Sequence, residues 1–169
     1  VRVNQVTKSL FKKYRSAQDY AHADLRALER EIYSTGFYKS KARYLKGIGQ
    51  MLVKKYRGKV PDRLEDLLTL PGVARKTAYL VLGKGFGKIV GIPVDTHVSR
   101  LAPRLGLTKE KIPEKIGRDL EKIFPRRDYL EVNTYFIMHG RKICVRKPKC
   151  RDCVLNDICP YPAISGIKL

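Results

Sequence analysis

No apolar run in the 169 residues approaches the roughly 20 needed to span a bilayer, and no secretory signal pattern opens the chain. Those absences lead to the expectation of a soluble, intracellular protein, cytoplasmic or nucleoid-associated in a prokaryote and nuclear or mitochondrial in a eukaryote. Acidic residues are scarce: 16 Asp plus Glu face 36 Lys plus Arg, for a formal charge of +20 and a pI near 10.0. Such a surface suits a polyanion such as nucleic acid, although a ribosome-like or merely basic protein shares the imbalance. Convincing strand alternation, internal repeats and low-complexity tracts are all missing. Cysteine is absent until residue 144 and then occurs at Cys144, Cys150, Cys153 and Cys159. A general disulfide framework would not cluster in this way, which leaves a metal module or a very local disulfide knot. The chain also lacks an initial methionine and starts in helix-like sequence at Val1, so an N-terminal segment is expected to be missing.

What is present reads as helix almost throughout. At 43% apolar the chain can bury a core, as one domain or two small ones. Leu25, Leu28 and Ile32 recur at helical spacing, as do Leu45, Ile48, Leu52 and Tyr56, with a pointed loop at Gly36-Phe37-Tyr38 between them. Pro61-Asp62 opens a short helix carrying Leu64, Leu67 and Leu68, and Pro71-Gly72 forces a tight reversal after it. A further helix is predicted over residues 75–82. Gly83, Gly85, Gly87 and Gly91 then interrupt the pattern before Pro93, placing a hinge near residue 90 and dividing the chain into 1–90 and 91–169. Ile116, Leu120, Ile123 and Phe124 form another helical face that Pro125 ends, and residues 128–139 supply the helix that leads into the cysteines.

The richest stretch is Leu70-Pro71-Gly72-Val73-Ala74-Arg75-Lys76-Thr77-Ala78, followed by Val94-Asp95-Thr96-His97, whose aspartate lies nineteen residues beyond that lysine. A tight turn followed by a helix exposes first-turn N–H groups that can hold a phosphate, so this hairpin can grip a DNA backbone without reading its sequence. Lys76 beside Arg75 is a candidate amine nucleophile; the plainer reading is an ordinary phosphate contact. Asp95 precedes a helical pattern as an N-cap and is expected to be ionised, and a purely structural cap is its plainer reading. His97 either touches a phosphate or packs in the first helical turn, and His139 supports the helix before Cys144. The cysteines read Cys-x5-Cys-x2-Cys-x5-Cys, a spacing that lets four thiolates converge on one centre and divides evenly between zinc and iron–sulfur. Arg146, Lys147, Lys149 and Arg151 would set positive charge beside it.

Taken in order, 36–42, Gly58-Lys59-Val60-Pro61, 70–78, 94–97, His139-Gly140-Arg141 and the cysteine tail resemble the endonuclease III family of helix-hairpin-helix DNA glycosylases over nearly the whole chain. The resemblance implies an all-α, two-lobed fold: a helical barrel lobe bearing the hairpin, a lobe bearing a four-iron four-sulfur cluster, and DNA across the cleft between them. It places Lys76 on the family's nucleophilic lysine, Asp95 on its essential aspartate and the four cysteines on the cluster ligands, which lowers zinc below iron–sulfur. It implies DNA contacts from Phe37, the wedge-loop aromatic, and from Lys41, Gly72, Ala74, Arg75, Thr77 and His97. Phe37 as a buried loop anchor is the competing reading.

The activity implied is that of a bifunctional glycosylase and abasic-site lyase acting as a monomer on double-stranded DNA with damaged bases or abasic sites, and removing oxidised or ring-saturated pyrimidines. A non-catalytic DNA-binding module and a monofunctional glycosylase are the alternatives. Three departures stand out from the family pattern. Ala74 replaces a second hairpin glycine, where its methyl group is expected to displace a phosphate contact or alter the turn. The first cysteine spacing is one residue short. The family's N-terminal helix and its space-filling glutamine find no counterpart after Val1.

Overall fold

A computed structural model of the chain describes residues 2–167, and among them the regular structure is entirely helical, with no strand. Packing divides the chain into two units, Val1–Ala74 and Arg75–Leu169. The division falls inside the hairpin and not near residue 90. Its physical reason lies in the glycines read as breakers. Helix α6 (Arg75–Phe86) runs straight through Gly83 and Gly85, and a Cβ at Gly83 would lie 2.6 Å from Leu130 Cδ1. Gly83 is therefore a seat for Leu130. Gly91 is likewise a seat for Tyr79, whose ring would come within 2.5 Å of an added Cβ.

The first unit comprises α1 (Arg2–Lys13), α2 (Ala17–His22), α3 (Leu25–Ile32), α4 (Tyr38–Tyr56) and α5 (Leu64–Leu68), with a 3-10 turn at Tyr33–Thr35. Helix α2 starts on a capping box, in which Ser16 accepts from Asp19 N–H and the Asp19 carboxylate accepts from Ser16 N–H. Asp19 also accepts from Arg15 N–H, and these backbone donors hold its carboxyl below the usual carboxylate range. Asp24 caps α3 through Ala27 N–H. Leu10, Tyr14, Ala23, Leu28, Ile32 and Ala42 form the core. Gly49 lets α2 approach α4 closely: a Cβ there would meet Ala21 N at 2.7 Å and Ala17 O at 2.8 Å. The hairpin turn rests on α4 as well, with Pro71 against Gly47 and Gly72 against the Tyr44 ring.

The second unit comprises α6, α7 (Thr96–Arg104), α8 (Pro113–Ile123), α9 (Tyr129–Lys142) and α10 (Tyr161–Ser165), with 3-10 turns at Arg126–Asp128 and Cys150–Asp152. Ile92, Val98, Leu101, Ala102, Ile116, Leu120, Val132, Phe136 and Cys144 make its core. The expected face on α8 is narrower than its spacing implied. Ile116 and Leu120 are fully buried, but Ile123 is half exposed, and Phe124 leaves the helix as its C-cap. Among the described residues no helix is long and apolar enough to cross a membrane.

Candidate active site and cysteine centre

Lys76 and Asp95 both belong to the second unit, each at the start of a helix. Lys76 lies in the first turn of α6, and Asp95 is the N-cap of α7. Asp95 divides its two oxygens between different tasks. Oδ1 accepts from the backbone N–H groups of His97 at 2.8 Å and Val98 at 2.9 Å, which ties the carboxylate to the positive end of α7. Oδ2 faces Lys76 Nζ at 3.7 Å. That separation makes a charge pair longer than a hydrogen bond. The Asp95 side chain is 11% exposed and that of Lys76 is 40% exposed, so the carboxylate is sheltered while the amine remains reachable. The geometry joins an amine that an incoming electrophile can meet to an anchored carboxylate able to take its proton or offset positive charge beside it.

The hairpin turn accommodates Ala74 without backbone strain. Gly72 occupies the left-handed region at φ 72°, whereas Ala74 is not among the positive-φ residues, so its methyl group causes no backbone strain. Gly72, Ala74, Arg75 and Thr77 are all exposed. His97 lies within the α7–α9 contact. Its Nδ1 is 3.2 Å from an Arg100 guanidinium nitrogen, and because guanidinium only donates, Nδ1 accepts and the ring proton sits on Nε2. The same guanidinium donates to the Gly140 and Cys144 carbonyls, fastening the end of α9 to α7.

In the first unit, Phe37 is not a buried anchor: it is 88% exposed and holds the left-handed conformation (φ 50°, ψ 30°) immediately before α4. A bulky residue in that region is strained, a condition that concentrates at ligand-contacting positions. Lys41 is turned back on the same loop, donating from Nζ to the Thr35 carbonyl at 2.8 Å. It thereby braces the loop that displays Phe37.

All four cysteines are free thiols and line one cavity, together with His139, Leu105, Ile143, Tyr161 and Pro162. Burial pushes the Cys150 thiol up, and Cys144, Cys159 and Cys153 add to the effect while Arg104 opposes it. Among the described residues no three His, Cys, Asp or Glu side chains converge closely enough to hold a single metal ion. Four thiols lining one cavity form a donor set that could hold a metal centre.

Two residues that sequence reasoning did not assign to this centre touch it. Arg104 Nη1 donates to Cys144 Sγ at 3.3 Å and to the Val145 carbonyl at 2.8 Å, and Nη2 donates to the Arg146 carbonyl. Its guanidinium also covers the Tyr161 ring at 4.5 Å, and its carbonyl accepts from Cys159. His139 Nε2 lies 3.7 Å from Cys153 Sγ. Arg146, Lys147, Lys149 and Arg151 are exposed around the loop.

The fold and sequence have known relatives. Residues 1–126 match the model of the HhH-GPD superfamily base excision DNA repair proteins. The chain is 48% identical over 160 residues to endonuclease III of Synechocystis sp., a match covering 94% of this chain and 73% of that protein. A solved non-covalent endonuclease III–DNA complex superposes with a TM-score of 0.91 at 39% identity, covering 98% of this chain and 78% of that one. A trapped endonuclease III–DNA covalent intermediate gives a TM-score of 0.90 at 38% identity, with the same coverage. The chain belongs to the endonuclease III family within the HhH-GPD superfamily of base excision DNA repair proteins.

Proposed function

We propose that this chain is a bifunctional DNA glycosylase and abasic-site lyase that removes oxidised or ring-saturated pyrimidines from double-stranded DNA, with Lys76 as nucleophile and Asp95 as its carboxylate partner. The observation that carries the reading is the opposition of Lys76 Nζ and Asp95 Oδ2 at 3.7 Å, the amine reachable and the carboxylate anchored. A related endonuclease III has been trapped covalently on DNA, which supports covalent chemistry on this scaffold.

A damaged nucleotide leaves the duplex most easily where damage has already weakened stacking and pairing. Asp95 takes a proton from the Lys76 ammonium, and the free amine attacks C1' of the sugar. The bond from C1' to the base breaks, and the base leaves with its electron pair and receives, through solvent, the proton that Asp95 took, which returns Asp95 to its carboxylate form. Asp95 offsets the positive charge that develops at the sugar during this step. Ring opening gives a Schiff base between Lys76 and C1'. Loss of a proton from C2' then expels the 3' phosphate, cutting the strand by β-elimination, and water releases the lysine. Phe37 supplies a wedge against the opposing stack, and the exposed hairpin at Gly72, Ala74, Arg75 and Thr77 grips the backbone, with His97 Nε2–H available to a phosphate.

Cys144, Cys150, Cys153 and Cys159 fit a four-iron four-sulfur cluster, whose contribution when bound is to tie the loop of basic residues into one shape. Arg104 holds both ends of that loop, and Arg146, Lys147, Lys149 and Arg151 present its charge to DNA. The enzyme is taken to act as a monomer wherever the cell keeps its DNA.

The test is a duplex carrying one ring-saturated pyrimidine. The reading expects release of the free base together with strand cleavage on the 3' side. Base release with an intact strand would replace it with a monofunctional glycosylase. Binding without either product on any damaged pyrimidine would replace it with a DNA-binding module.

A further inference from the structure

Residues 92–95 bring Asp95 opposite Lys76, yet they form no regular secondary structure of their own. The first two are buried all the same: Ile92 is 1% exposed, and Pro93 is among the fully buried side chains, while Val94 and Asp95 are partly buried. Buried backbone groups need partners, and here no neighbouring strand supplies them. Side chains from two helices do. Glu121 Oε1 of α8 accepts the Ile92 N–H at 3.0 Å, and Asn133 Nδ2 of α9 donates to the Pro93 carbonyl at 2.7 Å.

Asn133 is 3% exposed and sits on α9 between Val132 and Phe136, both members of the apolar core. An amide there gives little net stability over a hydrocarbon of similar size, because its gain must offset its own desolvation. What it adds is a fixed location for the oxygen it bonds. The Pro93 carbonyl is part of the rigid peptide plane that joins Pro93 to Val94, so fixing that oxygen orients the chain one residue before Asp95. Beyond Asp95, the carboxylate Oδ1 is already fixed by two N–H groups of α7. Between these two restraints the direction of Oδ2 is set.

We propose that Asn133 is a positioning residue for the lyase reaction: through the Pro93 carbonyl it holds Asp95 in register with Lys76. The inference rests on the roles given above to Lys76 and Asp95. Asn133 touches no reacting atom. Misplacing reacting groups by about 1 Å costs on the order of 100-fold in rate, so loss of this bond is expected to slow the reaction by about 10- to 100-fold.

The experiment uses the full chain with iron content matched between variants, and measures single-turnover cleavage of an abasic duplex at saturating enzyme, duplex affinity and the thermal midpoint. Asn133→Leu keeps the branched shape with a somewhat larger side chain and removes the donor; Asn133→Ser removes the amide donor with a smaller side chain and serves if the leucine variant does not fold. Each is also made with Asp95→Asn. The proposal expects folded single variants with the stated rate loss, duplex affinity within about twofold of the parent, and no further loss when either is combined with Asp95→Asn. A purely structural Asn133 would lower the thermal midpoint and leave the rate of the folded enzyme within about twofold of the parent, which overturns the proposal. So does a rate loss that multiplies undiminished with that of Asp95→Asn. If Asp95→Asn alone cuts at the parental rate, the role of Asp95 is overturned, and this inference with it.

Discussion

The charge of Phe37's loop is carried by its neighbours, and Phe37 itself offers only an exposed aromatic ring held in a strained backbone. Replacing it with glycine separates those two properties. Phe37→Gly relieves a left-handed conformation that costs a non-glycine residue about 1 kcal/mol, and it loses little packing because the side chain is 88% exposed. Urea unfolding is therefore expected to show a variant at least as stable as the parent. Affinity for an abasic duplex should fall at the same time, by roughly 5- to 100-fold if one base–aromatic stack of about 1–3 kcal/mol is lost. Unchanged affinity would remove the wedge role and leave the strain without explanation.

Helices in this chain are positioned as much by glycine as by apolar residues. Gly49 and Gly85 are both helical, yet an added Cβ meets backbone atoms at 2.7 Å and 2.8 Å in the first case and nothing within 4 Å in the second. Gly49→Ala is expected to destabilise the protein by about 1–3 kcal/mol through overpacking of α2 on α4, outweighing its gain in helix propensity. Gly85→Ala should instead stabilise it, by up to about 1 kcal/mol. Denaturant midpoints of the two variants moving in the same direction would contradict this packing account.

At the cysteine loop, Arg104 is the element-level fastener, since its side chain reaches Cys144, Val145, Arg146 and Tyr161. If the centre holds the proposed iron–sulfur cluster, Arg104→Ala should make it leave about 10-fold faster under a chelator, followed by loss of its visible absorbance. Equal rates would show that the thiols alone retain it. Removal of iron from the proposed cluster is expected to loosen the loop while leaving the α7–α9 core in place.

These elements also show what the sequence could disclose. Asp95 was legible as a cap because capping is local, its partners His97 and Val98 lying two and three residues on. The cysteines were legible for the same reason, being grouped in the chain. Asn133 and Glu121 were not, because their bonds join residues 40 and 29 positions apart, and Arg104 reaches Cys144 across 40. Gly83 misled as a helix breaker, since its use is to admit Leu130, a partner that periodicity cannot name. The left-handed turn at Phe37 gave no composition signal, although Gly36 before it marked the loop.

For the whole molecule, a formal charge of +20 makes binding to DNA a counterion-release process. Affinity for an undamaged duplex should fall with a log–log salt slope steeper than about −4, and a flat dependence would deny the basic surface its role. Such binding alone does not distinguish an enzyme from a DNA-coating protein. The distinction lies in one covalent bond between the chain and the sugar. Borohydride reduction of the chain on a duplex with a preformed abasic site, followed by mass spectrometry of the trapped peptide, addresses it most directly. The adduct is expected on the peptide containing Lys76 and is expected to be lost in Lys76→Ala, which should still bind the duplex. An adduct on another amine, or none from protein that still binds, would contradict the assignment of Lys76 as the nucleophile.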